Sequence, residues 1–176
     1  ASSYSEMFSV KAMEMILKGY MEVTEKGKEH FRTIIGDFLV ASNYAGIAFG
    51  NAGCAAVHAM SYPLGGVYHV PHGEANYQFF IEVFKYYEKK QPVGKIQEIK
   101  KLIAGIIGTT EDKAFEDLGN LLNNLLALKP LKEYGMKEEE IKGFAKNVIE
   151  TQQRLLVNNY VPFKEEDLVN IYAKLY

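Results

Sequence analysis

The sequence predicts an all-α protein, and two observations support that fold class. Apolar residues recur at intervals of three and four over most of the chain, which is the spacing of one face of an α-helix. No stretch alternates apolar and polar residues for long enough to predict a strand, and no turn dipeptide between β-branched runs predicts a hairpin. Without an internal repeat or a low-complexity linker, residues 1–176 are expected to form one helical domain.

The first two predicted helices lie before residue 51. Apolar positions at helical spacing cover residues 6–23, and Gly27 ends this element. A second pattern begins near Phe31 and extends to about residue 50. Each glycine in a helix costs about 1 kcal/mol relative to alanine, so a high density of glycines here predicts that another element approaches the backbone closely. The glycines concerned are Gly36, Gly46, Gly50 and Gly53.

Five further helices are predicted after residue 73. Residues 74–90 are apolar and aromatic on every side, which is typical of a buried helix rather than a surface helix. Thr109, with Asp112 three residues later, resembles an N-cap and is expected to open a helix that Lys129 stops. The remaining predicted helices are residues 93–107, 137–157 and 165–175.

Charge and composition exclude several classes of partner. The chain has 20 basic and 22 acidic residues that are mixed along its length, so it shows no electrostatic footprint for nucleic acid or an anionic membrane. No apolar run is long enough for a membrane span, and the first residues do not resemble a signal peptide. Cys54 is the single cysteine, which fits a reducing compartment. A cytoplasmic protein that binds neither nucleic acid nor membrane is expected.

Three of the four histidines lie within residues 53–76, and this stretch is the candidate functional region. His58 falls in a run of small residues that is predicted to be helical, and His72 begins the next helical pattern. Pro63 and the glycine pair after it are expected to break the first of these helices soon after the proline. Two imidazoles on neighbouring helix ends, joined by a short turn, can converge on one metal ion.

Spacing alone leaves two interpretations of this region open. His58 and His72 either share a metal or are hydrogen-bonded core and cap residues, because no third carboxylate or thiolate stands at a convincing spacing. The helix N-terminus at His72 disfavours a charged imidazolium, and a metal needs the neutral ring. Tyr62 lies one turn beyond His58 and either reaches the same point or is a core tyrosine. His69 either relays a proton or faces solvent.

Two segments within this region resemble the signature of the iron-containing (group III) alcohol dehydrogenase family. They are residues 57–66, Val-His-Ala-Met-Ser-Tyr-Pro-Leu-Gly-Gly, and residues 70–76, Val-Pro-His-Gly-Glu-Ala-Asn. Residues 41–49 resemble the helix that precedes this signature, and residues 163–172 resemble the end of the family's sequences. The resemblance therefore covers essentially the whole chain and identifies it as the helical C-terminal domain of such an enzyme.

The resemblance implies hydride transfer between a primary alcohol or hydroxy acid and NAD, with a divalent metal polarising the substrate oxygen. In the family an aspartate and three histidines hold the metal, and His58 and His72 match the last two ligands. Iron is the expected metal, with zinc or manganese as substitutes. The other two ligands and the NAD-binding domain are expected upstream of residue 1, so the chain is expected to be a fragment. The expected partner is a small-molecule alcohol or hydroxy-acid substrate. Assembly into a homo-oligomer is compatible with this function.

Tyr62 stands where many family members have a further histidine. With its flanking residues it resembles the branch of the family that interconverts 4-hydroxybutyrate and succinate semialdehyde. Tyr62 and His69 are then the candidates for positioning the substrate hydroxyl or relaying its proton. A carboxylate-bearing substrate needs a basic partner, and none is identifiable from the sequence. The alternative is that the chain by itself is a catalytically silent helical structural or interaction module.

Overall fold

A computed structural model describes residues 2–176, which contain nine α-helices and no strand. The all-α prediction is confirmed. None of the helices in this part of the chain combines the length and the apolar character needed to span a bilayer. The helices are α1 Ser3–Lys26, α2 Phe31–Ala52, α3 Ala56–Tyr68, α4 His72–Lys90, α5 Lys95–Ile107, α6 Ala114–Leu125, α7 Ile141–Thr151, α8 Gln153–Leu156 and α9 Glu165–Leu175. Short 3₁₀ turns lie at Lys28–His30, Glu111–Lys113, Leu131–Tyr134 and Glu138–Glu140.

The helix predicted over residues 137–157 is split in two. It breaks at Gln152, between α7 and α8, where φ of −108° and ψ of 26° depart from α-helical values. Side chains bond to carbonyls on both sides of the break, with the Thr151 hydroxyl 2.8 Å from the Asn147 oxygen and the Gln153 amide 2.5 Å from the Ile149 oxygen.

The predicted N-cap at Thr109 is wrong. A 3₁₀ turn with Thr110 as its N-cap comes first, and α6 begins only at Ala114. The hydroxyl of Thr109 instead donates a hydrogen bond to the carboxylate of Asp117, one turn inside α6. The Thr109 side chain therefore bonds to a side chain within α6 and does not cap the backbone N–H groups of the helix's first turn.

Contacts between the helices define two compact units. The first unit contains the described residues up to Gly53 together with Gln97–Ala127, and the second contains Cys54–Ile96 together with Leu128–Tyr176. The expectation that residues 1–176 act as one domain stays a prediction.

In the first unit, α1 and α2 form an antiparallel helical hairpin across a short connection. The ring of Phe38 lies directly against Gly19, so that a β-carbon at position 19 would come within 2.7 Å of the ring. Tyr20 and Phe31 hold this ring in place, with centroid distances of 5.4 and 5.1 Å. The close approach of the hairpin therefore depends on a glycine of α1.

The close approach predicted at the glycines of α2 is wrong for three of the four. No described atom outside their own helix backbone lies within 4 Å of a β-carbon built at Gly36, Gly46 or Gly50. Gly53 has a different role, because its φ of 80° lies in the left-handed region and ends α2.

In the second unit, α4 and α9 meet at the centre of the core. The rings of Phe79 and Tyr172 pack edge to face at 5.2 Å, and both side chains are almost completely buried. No residue between positions 74 and 88 is fully exposed, as expected for a helix that is apolar all round. Further buried apolar residues of this unit are Met60, Val83, Leu131, Ala145, Val148 and Leu168.

The break predicted soon after Pro63 is wrong, because α3 continues through the proline to Tyr68. Proline lacks the N–H that would bond to the preceding turn, and its ring crowds the carbonyls there. The hydroxyl of Tyr172 donates to the Met60 carbonyl at 2.7 Å, so a buried tertiary contact from α9 holds the turn that precedes the proline. The helix ends only at His69, the one described non-glycine residue with a left-handed φ, at 55°.

The start of α3 is held by a segment more than 100 residues away. Its N-cap residue, Ala55, has no side chain that can accept a hydrogen bond from the first turn. Asn159 supplies the acceptor, because its Oδ1 receives the Ala56 N–H at 2.8 Å and the Tyr87 hydroxyl at 2.9 Å. The neighbouring Asn158 donates to the Cys54 carbonyl at 3.0 Å. We refer to Asn158 and Asn159 as the asparagine latch.

The turn between α3 and α4 is held by two tyrosine–carboxylate pairs. Tyr68, the last residue of α3, donates to Glu140, and burial together with this carboxylate raises the pKa of Tyr68 to about 12. Tyr134 donates to Glu74, in the first turn of α4, at 2.8 Å. Residues from the C-terminal part of the unit therefore fix both sides of the turn.

We expect Gly19→Ala to lower the free energy of unfolding by about 1–2 kcal/mol, because the added methyl group meets the Phe38 ring and the strain exceeds the gain in helix propensity. Gly36→Ala is the matched control. That position is open, so this change should raise stability by up to about 1 kcal/mol. Urea unfolding followed by circular dichroism measures both. Equal stabilisation by the two changes would show that Phe38 moves aside freely.

We expect Asn159→Ala to lower the free energy of unfolding by about 1–3 kcal/mol, because the Ala56 N–H and the Tyr87 hydroxyl both lose their acceptor. Asn159→Asp keeps an acceptor oxygen and should lower the free energy of unfolding by less. Asn147→Ala, at an exposed position of α7, is the control and should have little effect. The same unfolding experiment measures all three, and an Asn159→Ala protein as stable as the control would contradict the role of the latch.

Candidate functional site

His58 and His72 converge on one point, as the sequence predicted. His58 is in the first turn of α3 and His72 is the first residue of α4. Their rings are 5.2 Å apart between centroids and are inclined at 64°. Asn76, one turn after His72, lies between them, with its amide nitrogen 3.4 Å from Nε2 of His58 and 3.0 Å from Nε2 of His72.

The contacts to Asn76 bring the two rings together through the same ring atom. The Nε2 atoms of His58 and His72 both face the side-chain amide of Asn76. This is the arrangement in which two histidines can bind one metal ion through Nε2.

The electrostatics at His58 favour its neutral form. Burial lowers the pKa of His58, and the nearby His72 ring lowers it further. A ring that stays neutral keeps the lone pair that metal binding needs.

The polar groups of this site are incomplete within the described residues. The Oδ1 atom of Asn76 is buried and has no hydrogen-bond partner in residues 2–176. The same residues contain no group of three or more histidine, cysteine, aspartate or glutamate side chains that could hold a metal ion. His58 and His72 therefore fit two positions of a metal site, and the part of the chain described here does not supply the rest.

Tyr62 is brought to the same site. Its ring lies 6.4 Å from the His72 ring between centroids, with the two planes inclined at 32°. On its other side, the Tyr62 hydroxyl lies 3.5 Å from Nη2 of Arg154, at the start of α8. The side chain therefore contacts both a candidate metal ligand and a cation, while its predicted role in proton transfer stays a prediction.

His69 is not brought into contact with these groups. It is exposed in the turn between α3 and α4, and its ring has no hydrogen bond or ring contact with another residue in the range 2–176. Its predicted role in proton relay stays a prediction.

Two residues of the site were not identified from the sequence as members of it. Asn76 is four residues after His72 on one helix, so the local spacing could have indicated that it lies beside the histidine. Arg154 gives no such signal, because 92 residues separate it from Tyr62. It lies in α8, and only the tertiary structure places it beside Tyr62.

Among curated proteins, the chain is similar to 4-hydroxybutyrate dehydrogenase of Clostridium kluyveri, with 64% identity over 176 residues. This alignment covers 100% of the chain and 47% of the relative. Long-chain-alcohol dehydrogenase 1 of Geobacillus thermodenitrificans is 29% identical over 98% of the chain and 44% of its own length. The chain therefore spans about half the length of the curated relatives that it matches.

Solved structures share the fold. A crystal structure of 1,3-propanediol oxidoreductase superposes with a TM-score of 0.84 and 22% identity, covering 100% of this chain and 46% of its own. An alcohol dehydrogenase from an archaeal halo-thermophilic Red Sea brine pool source has a TM-score of 0.82 and 25% identity, over 98% of this chain and 44% of its own. The sequence profile of the C-terminal part of the Fe-containing alcohol dehydrogenase family matches residues 1–176. The chain therefore belongs to the Fe-containing alcohol dehydrogenase family.

Proposed function

We propose that this chain is the metal-binding part of an NAD-dependent dehydrogenase that interconverts 4-hydroxybutyrate and succinate semialdehyde. The observation that carries the proposal is the convergence of His58 and His72 on one point. The substrate class is supported by the 64% identity to a 4-hydroxybutyrate dehydrogenase along the whole chain. We further propose a cytoplasmic enzyme without nucleic-acid or membrane partners, and homo-oligomers are compatible with it.

His58 and His72 would hold a divalent metal through Nε2, with two further ligands from outside the described residues. The lowered pKa of His58 and the two Nε2 atoms that face one amide fit this role. Iron is the first candidate on family grounds, with zinc or manganese as substitutes. When bound, such an ion supplies Lewis-acid chemistry at the alcohol oxygen during hydride transfer.

The chain's own residues orient the reactants. Asn76 holds the two imidazoles with their Nε2 atoms toward one point. Tyr62, beside His72, is suited to position the substrate hydroxyl, because its own hydroxyl oxygen can accept a hydrogen bond from it. His69 is exposed in the adjoining turn, and we propose it as the group that passes this proton to solvent.

We propose that residues 1–176 form a helical domain that works with a separate dinucleotide-binding domain, which binds most of the NAD. The chain covers 47% of the length of its 64% identical relative, which leaves room for such a domain in a protein of that length. Because residues 2–176 offer no set of three metal ligands, the 176-residue chain alone is expected to be a catalytically silent helical module.

We expect His58→Ala and His72→Ala, each in the full-length protein, to weaken metal binding at least about tenfold and to abolish NAD-linked oxidation of 4-hydroxybutyrate, because each change removes a ligand. Metal content after dialysis and the rate of NADH formation measure the two effects. His30→Ala is the control, since His30 lies in the first unit and contacts Glu22. Full metal content and full activity in both variants would overturn the proposed centre. The isolated 176-residue chain should show no activity.

We expect Tyr62→Phe in the full-length protein to lower kcat on the order of 10- to 100-fold, because the hydroxyl that positions the substrate proton is lost. Metal content should stay intact, since Tyr62 is not proposed as a ligand. Steady-state kinetics and metal analysis test this, with Tyr4→Phe at an exposed position of α1 as the control. Unchanged kinetics in Tyr62→Phe would remove Tyr62 from the mechanism.

A further inference from the structure

We propose that Arg154 recognises the carboxylate of the substrate. This inference rests on the proposed function, because it requires a hydroxy acid rather than a simple alcohol. Nη2 of Arg154 lies 3.5 Å from the hydroxyl of Tyr62, and the Tyr62 ring lies 6.4 Å from that of His72. Tyr62 therefore stands between the candidate metal ligands and a guanidinium group.

The guanidinium of Arg154 has no acidic partner among residues 2–176. The chain has two arginines, and Arg32 pairs with Glu29 at 3.5 Å. Arg154, in contrast, makes no ion pair with any residue in the described part of the chain, and its side chain is exposed. A guanidinium presents five N–H donors in a planar fork that matches the two oxygens of a carboxylate. Its charge and donors are therefore available to an anionic ligand beside Tyr62.

The segment that carries Arg154 is fixed relative to the histidines. Leu155, the next residue, is buried in the core of the second unit. The Asn158 side chain of the latch donates to the Arg154 carbonyl at 3.4 Å and to the Cys54 carbonyl, just before α3, at 3.0 Å. The backbone under Arg154 is thus tied to the helix that carries His58. A cation held this way loses less entropy when it binds a ligand than one on a free loop does.

A hydroxy acid offers one polar group to each side of Tyr62. In 4-hydroxybutyrate three methylene groups separate the hydroxyl from the carboxylate, which places them roughly 5 Å apart when the chain is extended. With the substrate hydroxyl on the side of His72, the carboxylate would extend past Tyr62 toward the guanidinium. Recognition at both ends distinguishes a hydroxy acid from an alcohol of the same length.

The test compares 4-hydroxybutyrate with butan-1-ol, which has a methyl group in place of the carboxylate, in the metal-loaded full-length enzyme. For Arg154→Gln we expect the ratio of kcat/KM between the two substrates to fall on the order of 10- to 100-fold, mainly through KM for the acid. Arg154→Lys keeps the charge without the fork and should show a smaller fall. Butyrate, as a competitive inhibitor without the hydroxyl, should bind correspondingly more weakly to Arg154→Gln. Arg32→Gln is the matched control and should leave the ratio unchanged.

Each other outcome overturns the assignment. An unchanged ratio in Arg154→Gln, with normal circular dichroism and metal content, would show that the guanidinium does not contact the substrate. Equal losses for both substrates together with a higher KM for NAD would assign Arg154 to the cofactor's phosphates instead. If the unaltered enzyme oxidises butan-1-ol but not 4-hydroxybutyrate, the proposed substrate fails as well, which separates this result from a failure of Arg154 alone.

Discussion

The start of α3 has no capping side chain of its own, and the rest of the site depends on the distant residue that caps it. A helix N-terminus exposes unpaired N–H groups, and Ala55 cannot satisfy them. Asn159 accepts the Ala56 N–H across 103 positions of sequence and binds the Tyr87 hydroxyl at the same time. One amide oxygen thereby joins the beginning of α3, the last turn of α4 and the segment after α8. The helices that carry the two histidines are held together by the contact that completes the cap.

The other end of α3 is likewise held by side chains that are distant in sequence. The left-handed His69 ends the helix, and tyrosine–carboxylate pairs at Tyr68 and Glu74 hold the two helix ends beside it. Each pair places a charged acceptor against a tyrosine hydroxyl, which makes a stronger hydrogen bond than two neutral groups do. With both ends of α3 fixed, contacts within the chain place the His58 and His72 rings 5.2 Å apart between centroids. Such preorganisation lowers the entropy lost when a ligand arrives.

Arg154 lies just after an interruption of regular structure. A continuous helix over residues 137–157 would direct its side chains by the regular rotation of a helix. Instead, the helix breaks at Gln152, and α8 begins at Gln153. The guanidinium then lies beside Tyr62, a residue that sequence reasoning had linked to substrate without finding a cation for it.

The sequence by itself determined the helical fold class, because the spacing of apolar residues within each segment is enough to predict a helix. The end of α1 at Gly27 and the whole of α9 were predictable for the same reason, and so was the convergence of His58 and His72 across a short turn. Only the tertiary structure decided that α3 passes through Pro63, because contacts such as that of Tyr172 with the Met60 carbonyl come from a distant part of the chain. It also decided the place of Arg154, because contacts between residues about 100 positions apart leave no trace in local spacing.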